Sequence, residues 1–259
     1  MIKSLRTAAS GMEAQQRRLD VTANNIANVN TTGFKASRAE FQELLYTQER
    51  AAGNPDDNQN PTGIEVGSGV RTAATQKNFS QGTLEATSNP LDLAIEGQGF
   101  FEVLGDSGNP VYTRAGAFKV NANGQLVNAD GHPLNPPIHV PEDVTSITIT
   151  RDGTVSAQIA DDPAEIELGQ IELTTFANPA GLRSLGRNLF EATEASGQAQ
   201  IGRPGEQGMG SLTQGYLEGS NVEVTEEMIS MIVSQRAYEV NSKVIRTADE
   251  MLRAATNIR

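Results

Sequence analysis

Hydrophobic residues recur every seven positions at both ends of the 259-residue chain. This spacing predicts one helix over residues 3–29 and another over 222–255, each with an apolar seam of the coiled-coil type. Because a helix with such a seam is marginal alone in water, the two helices are expected to pair with each other or with further copies of the chain. The predicted self-assembly seam consists of Leu5, Met12, Leu19 and Ile26 in the first helix, and Val224, Met231, Tyr238, Ile245 and Leu252 in the second.

The predicted C-terminal helix has a wider apolar face than a single partner helix requires. Beside its seam lies a second apolar row, and a third row is made of small or polar residues. Ser220-Asn-Val-Glu223 precedes the helix and predicts a capping box, in which a Ser and a Glu three residues later bind each other's backbone amides. The second row is Ala237, Val244 and Met251, and the third is Ser234, Asn241, Ala248 and Ala255.

Short apolar alternations separated by turn residues fill the region between the helices. Asn123-Gly124 and Asp130-Gly131 are strong hairpin signals. Many short strands at this spacing predict an antiparallel sandwich or a barrel-like domain. The sequence therefore predicts an α+β fold, in which the two terminal helices form a coiled-coil domain and an all-β outer domain is inserted between them.

The expected domain boundaries follow from these patterns. Residues 1–35 and 220–259 are predicted to form a discontinuous inner domain of terminal helices. Residues 36–90 and 211–219 are predicted to connect it to the outer β-domain, which occupies 91–210. Within the connecting segment, the part around Phe41 fits either a short helix or an extended chain. Residues 47–63 are polar and rich in Asn, Asp and Pro, so they predict a long loop or a hairpin tip.

The net charge of −12 is distributed unevenly. Residues 1–45 carry +2 and residues 220–259 carry −1, which leaves −13 for the middle of the chain. There is no basic stripe, so nucleic-acid binding is disfavoured. An acidic middle with near-neutral ends fits burial of the ends against partners, although simple solubility explains it equally well.

The sequence offers no convincing catalytic or metal-binding set. Cysteine is absent, and the two histidines, His132 and His139, have neither a zinc-ligand spacing nor an obvious orienting acid. Gly97-Gln-Gly99 begins like a dinucleotide motif, but a predicted strand follows it where a helix would be needed. We therefore predict no enzymatic activity, no metal and no cofactor. No apolar run is long enough to span a membrane, and the N-terminus lacks the pattern of a cleaved signal peptide.

Several longer motifs resemble those of the bacterial flagellar rod and hook protein family. The resemblance covers nearly the whole chain and is greatest to the distal-rod (G-type) group. The matching segments are Ala23-Asn-Asn-Ile-Ala-Asn-Val-Asn-Thr-Thr-Gly-Phe-Lys35, Ser37–Tyr46, Thr62–Arg71, Ser88–Phe101, Tyr112-Thr-Arg-Ala-Gly-Ala-Phe118, Leu217–Met228, Gln235–Lys243 and Thr247–Met251.

This resemblance implies a structural subunit of the flagellar basal body. Such a subunit polymerises helically through its terminal helices into the distal rod, a hollow drive shaft between the proximal rod and the hook that also serves as an export channel. The implied partners are copies of the chain itself, proximal rod subunits, hook subunits, the P and L rings, and the flagellar type III export apparatus. The implied location is the periplasm, reached without a cleaved signal peptide. The alternatives are another rod or hook subunit of the same family, or a secreted β-domain enzyme or binding module.

The resemblance also marks two groups of residues. The family signature falls on Asn24, Asn25, Ala27, Asn28, Thr32, Gly33, Phe34 and Lys35. The segment 47–63 corresponds to a distal-rod insertion that touches neighbouring subunits, which implies an inter-subunit role for Gly53, Asn54, Pro55 and Pro61.

Overall fold

A computed structural model describes residues 2–50, 62–106, 108–141, 143–159 and 162–257. It divides the chain into two compact units. Unit 1 draws on residues 1–27, 37–77 and 223–259, and unit 2 draws on 28–36 and 78–222. The domain boundaries expected from the sequence stay a prediction. The structural division differs from them, since it assigns 28–36 to the β-rich unit and 37–77 to the helical one.

Unit 1 contains both long helices, α1 (Ile2–Ala27) and α2 (Val224–Asn257), close to where the heptads predict them. Residues after α1 form strands, so the segment around Phe41 is extended. These strands pair antiparallel as β1 with β4 and β2 with β3. Their bounds are β1 (Ser37–Glu43), β2 (Tyr46–Arg50), β3 (Ile64–Gly67) and β4 (Val70–Lys77).

The strands of unit 1 lie against α1. The Ser10 hydroxyl accepts a hydrogen bond of 3.3 Å from the Val70 amide at the start of β4. Gly69 approaches the helix so closely that an added Cβ would lie 2.2 Å from the Ser10 oxygen. A side chain at position 69 would therefore force the Ser10 hydroxyl to move and would disturb its hydrogen bond with the Val70 amide.

The capping box predicted before α2 is wrong. The helix begins at Val224, so Ser220 stands too far upstream to cap it. The Ser220 hydroxyl instead accepts a hydrogen bond from the Val222 amide, two residues on, and closes a local turn. Glu226 and Glu227 occupy the first turn of the helix, where negative charge complements the helix dipole.

Unit 2 consists of short antiparallel strands, as the alternating pattern predicts. Its largest sheet has six strands in the order β15-β16-β8-β7-β14-β17, and a three-stranded sheet has the order β11-β12-β13. Strands β9 and β10, β6 and β18, and β5 and β19 form further pairs. The bounds are β5 (Leu84–Ala86), β6 (Leu93–Glu96), β7 (Phe100–Leu104), β8 (Pro110–Thr113), β9 (Lys119–Val120), β10 (Leu126–Val127), β11 (Val144–Ile149), β12 (Thr154–Ile159), β13 (Asp162–Gln170), β14 (Leu173–Thr175), β15 (Arg183–Gly186), β16 (Leu189–Glu191), β17 (Gln200–Gly202), β18 (Ser211–Gln214) and β19 (Tyr216–Glu218).

Two apolar clusters form the core of unit 2. The larger one is aliphatic apart from Phe101 and Phe118, whose rings meet edge to face with centroids 5.1 Å apart. The smaller one is largely aromatic and includes Phe100, Tyr112 and Phe176. Burial of this apolar surface is the main stabilising contribution to the unit.

Candidate functional site

The two terminal helices pack antiparallel in unit 1. The Asn25 amide nitrogen donates a 2.8 Å hydrogen bond to the Glu227 carboxylate. Near the other end, a Cβ on Gly11 would lie 3.0 Å from the Asn241 side-chain nitrogen. Positions along α2 therefore fall as positions along α1 rise. Neither described helix contains an apolar stretch long enough to cross a membrane.

Small residues are among the most deeply buried side chains of this helix pair. Ala8 and Ala14 on α1 are 6% and 4% exposed, and Ser234 and Ala248 on α2 are 0% and 2% exposed. Small side chains let two helix backbones approach closely. The row of α2 that contains Ser234 and Ala248 is therefore buried more deeply than the predicted seam residues beside it. The Ser234 hydroxyl lies in this contact without a hydrogen-bond partner.

The predicted seam residues flank this contact and do not form its centre. Those of α1 are all half-buried, and three of the five on α2 are half-buried as well. Val224 and Tyr238 stay 41% and 39% exposed. Heptad spacing could not show that the small row of α2 would be more deeply buried than the seam residues beside it. Their role in self-assembly stays a prediction. The half-buried residues are Leu5, Met12, Leu19, Ile26, Met231, Ile245 and Leu252.

Another apolar row on α2, which shares Val244 and Met251 with the predicted second row, is exposed in the single chain. Its members recur at intervals of four and seven residues, which places them on one side of the helix, about a third of a turn away from the α1 contact. Large apolar side chains aligned in this way are unusual on a free surface and mark a site for a protein partner. This exposed apolar row consists of Ile229 (57% exposed), Val233 (51%), Val240 (62%), Val244 (43%) and Met251 (52%).

The first half of the family signature holds unit 1 together. Asn25 is 1% exposed, and its side chain binds both the amide and the carbonyl of Ser37, each at 2.9 Å. With the bond to Glu227, its amide group joins the end of α1, the start of β1 and the first turn of α2. The neighbouring Asn24 and Ala27 side chains are exposed, so of these three positions only Asn25 is buried within the unit.

The second half of the signature is built into unit 2. Gly33 has a φ of +70°, and its amide donates a 2.7 Å hydrogen bond to the Glu218 carbonyl. A Cβ at Gly33 would lie 2.7 Å from the Ala115 nitrogen, so both the backbone conformation and the space require glycine. The Thr32 carbonyl accepts a hydrogen bond from Asn188, and Phe34 is buried. Asn28 closes a local turn with Thr31.

Lys35 ends the signature in a buried cluster of three charges. Its Nζ lies 2.7 Å from Oε1 of Glu218 and 2.7 Å from the Ser80 carbonyl. Arg114 binds the same carboxylate, with Nε 2.8 Å from Oε2 and Nη2 3.3 Å from Oε1. Lys35, Arg114 and Glu218 are 1%, 4% and 0% exposed, respectively. We call these three residues the charge cluster.

The protonation equilibria of the charge cluster reflect its burial. Burial raises the pKa of the Glu218 carboxyl, but Arg114 and Lys35 outweigh this effect and hold the pKa below its usual value. Burial lowers the pKa of the Lys35 ammonium, and Glu218 opposes that change. Glu218 therefore stays ionised to a lower pH than an ordinary glutamate, as expected for the counter-charge of two cations.

Sequence reasoning singled out Lys35 but missed Arg114, Glu218 and Asn221. The Asn221 side chain accepts a 2.8 Å hydrogen bond from the Ala36 amide and donates to the carbonyls of Asn78 and Ser80. All three missed residues fall inside segments that match the family motifs. A single sequence gave no sign that residues so far apart would meet.

The remaining predicted positions are those of the polar segment and the two histidines. Gly53, Asn54, Pro55 and Pro61 lie outside the described residues, so their inter-subunit role stays a prediction. His132 is buried, with its Nδ1 3.7 Å from the exposed Asp106 carboxylate. Within the part of the chain that the structure describes, no three His, Asp or Glu side chains are grouped closely enough to hold a metal ion.

Comparisons with known proteins agree with the motifs. A family described as flagella basal body rod protein matches residues 5–35, and the D1 domain of flagellar hook protein FlgE/F/G matches residues 94–157. The C-terminal region of flagellar basal body rod FlgEFG protein matches 213–258.

Over the whole chain, the flagellar basal-body rod protein FlgG of Borreliella burgdorferi is 50% identical, covering 100% of this chain and 99% of that protein. The chain belongs to the FlgG family. FlgG of Caulobacter vibrioides is 49% identical over the full length of both chains.

FlgG-family membership rests on these sequence matches. Among solved structures, the flagellar hook protein FlgE2 of Helicobacter pylori matches 71% of this chain and 43% of its own, at 14% identity and a TM-score of 0.25. A likeness at that level supports no conclusion about fold or function. Within this chain, the family signature makes its buried contacts through Asn25 in unit 1 and through Gly33, Phe34 and Lys35 in unit 2.

Proposed function

We propose that the chain polymerises through its terminal helices as a structural subunit of the flagellar basal-body rod. In this proposal it forms the distal rod, a hollow shaft that joins the proximal rod to the hook and lets later subunits pass along its channel. Its near-full-length relatives are named as rod proteins, which is consistent with a protein that is not an enzyme. The same proposal gives it the P and L rings as outer neighbours and the flagellar type III apparatus as its export route.

The exposed apolar row of α2 is the observation that carries the proposal. One side of α2 is already used by α1, and the row remains exposed on another side. Covering five large apolar side chains releases free energy in proportion to the apolar area removed from water. A contact between different faces of successive copies does not close on itself, so it generates a helical polymer, which is the form a rod requires.

The decisive experiment changes the exposed apolar row without changing the fold. Val240→Glu places a charge in the row, because position 240 is 62% exposed in the single chain. Gln235→Glu adds the same charge on the opposite side of α2, where the side chain is also exposed, and serves as the matched control. Concentrated full-length proteins would be compared by electron microscopy and sedimentation, with circular dichroism to verify equal helix content.

We expect rods or tubes from the unmodified chain and from Gln235→Glu. Val240→Glu should need at least about a tenfold higher concentration to polymerise, since burying an unpaired carboxylate costs more than 1.4 kcal/mol. If Val240→Glu polymerised at the same concentration as the unmodified chain, the exposed apolar row would be shown not to form part of the interface between copies. A full-length chain that stays monomeric at every concentration would show that the helices do not suffice for polymerisation.

A further inference from the structure

The charge cluster of unit 2 joins parts of the chain that are far apart in sequence. Lys35 and Glu218 are separated by 183 positions, and Arg114 and Glu218 by 104. Lys35 lies in the signature segment, Arg114 directly follows β8, and Glu218 ends β19, the last strand of the unit. Unit 2 can therefore complete its fold only when its first segment, its middle and its last strand are in contact.

The charges in this cluster are unequal in number, because two cations share one carboxylate. Without Lys35 or without Arg114, a cation and an anion would remain paired. Without Glu218, two buried cations would face each other. A buried charge that has lost its partner is far more costly than a lost hydrogen bond between neutral groups.

Arg114 cannot easily move its charge out of the interior when Glu218 is absent. Its Nη1 donates to the Gly97 and Gly99 carbonyls at 2.9 and 2.7 Å, in the turn between β6 and β7. Turning the guanidinium toward solvent would leave both carbonyls without this donor. The side chain is thus held in the interior by the same turn that joins two core strands.

We propose that the charge cluster is a folding latch, in which Lys35 and Arg114 keep unit 2 open until β19 delivers the Glu218 carboxylate. A chain that emerges N-terminus first presents both cations before their counter-charge. The β-rich unit therefore cannot complete its fold until almost all of its residues have emerged, although most of its strands are available earlier. This role is independent of rod assembly, because every contact involved lies within unit 2.

The test uses four full-length variants and measures hydrogen exchange of the backbone amides in β7 and β8. Glu218→Gln keeps the shape of the side chain but removes its charge. Lys35→Met removes one cation and leaves Arg114 paired with Glu218. The triple variant Lys35→Met, Arg114→Met, Glu218→Met removes all three charges. Glu206→Gln, which neutralises an exposed carboxylate of the same unit, is the matched control.

A latch predicts a definite order among the variants. Glu218→Gln should speed exchange in β7 and β8 by roughly a hundredfold or more, as expected when a buried charge loses its partner. Lys35→Met should change exchange by less than about tenfold, and the triple variant should recover most of the protection lost in Glu218→Gln, because well-packed apolar groups replace buried ion pairs well. Glu206→Gln should match the unmodified chain.

Two results would overturn the latch. Unmodified protection in Glu218→Gln would show that the cations do not hold the unit open. Exchange in the triple variant as fast as in Glu218→Gln would show that lost packing and hydrogen bonds, and not unpaired charge, cause the opening. The triple variant therefore separates the latch from general destabilisation.

Discussion

Asn25, near the end of α1, donates a 2.8 Å hydrogen bond to Glu227 in the first turn of α2, although 202 positions separate the two residues. The same amide group binds both backbone polar groups of Ser37. One signature side chain thus fixes the meeting point of both helices and the first strand of unit 1.

Replacement of Asn25 should therefore weaken unit 1. Asn25→Ala leaves the Ser37 amide and carbonyl without these partners, and we expect a loss of about 1–3 kcal/mol in the free energy of unfolding. Gln16→Ala, at an exposed position of the same helix, should cost less than about 0.5 kcal/mol. Urea titration followed by far-ultraviolet circular dichroism measures both. Equal effects from the two substitutions would contradict the buried role of Asn25.

Gly33 should tolerate alanine much less well than another left-handed glycine of unit 2. Gly131 has a φ of +89°, but an added Cβ there would meet nothing within 4 Å. Gly131→Ala should cost about 1–2 kcal/mol for the backbone conformation alone. Gly33→Ala adds a collision with the backbone at Ala115, so the cost should reach roughly 3 kcal/mol or more. Denaturant titration followed by near-ultraviolet circular dichroism of the buried aromatic side chains would compare them, and similar costs would argue against the close approach.

The stability of unit 2 should fall in acid through Glu218. The pKa of this carboxyl is lowered in the folded chain, so the unfolded chain takes up the proton first as the pH falls. The stabilisation is therefore complete above the ordinary pKa of 4.5 and is lost as the pH drops toward the folded value. Lys35→Met removes one cation that lowers this pKa, so the acid loss should be smaller and should end at a higher pH. Unfolding titrations between pH 3 and 6 test this, and identical pH profiles would exclude a contribution from Lys35.

Ser234 offers a substitution that should stabilise the helix pair. Its hydroxyl is fully buried without a hydrogen-bond partner. Ser234→Ala removes that unpaired group and improves helix propensity, so we expect a gain of roughly 1 kcal/mol or more. Ser242→Ala, a half-buried position on the same helix, measures the propensity gain, which should stay near 0.5 kcal/mol. Thermal unfolding monitored by helix content gives both values. A gain no larger than that of Ser242→Ala would mean that the Ser234 hydroxyl is not left unpaired.

Local patterns predicted the parts of the fold that local forces determine. The heptads placed α1 and α2 to within a few residues, because a seam and its flanking turn residues are encoded side by side. Asn123-Gly124 correctly marked the β9–β10 hairpin, where Gly124 has a φ of +77°. Strands β15 and β17 were not predicted, since they are short, mostly exposed edge strands without a clear alternation.

The contacts that fix the signature could not be predicted in the same way. Nothing in the sequence near Lys35 or Arg114 indicates that Glu218 will lie between them, because their pairing depends on how the strands are arranged in space. The deep burial of Ser234 likewise depends on how closely the two helix axes approach. Periodicity gives the side of a helix that is buried, and the neighbouring backbone decides which residue on that side is buried most deeply.

The charge cluster also has a mechanical consequence. The chain enters unit 2 at residue 28 and leaves it at 222, and contacts near these points join the two segments directly: Gly33 binds Glu218, Lys35 binds Glu218, and Ala36 binds Asn221. A force that pulls residues 28 and 222 apart is carried by these contacts. It does not reach the strands that lie between them along the chain. The sheets of the β-rich unit therefore experience no pulling force until these contacts break.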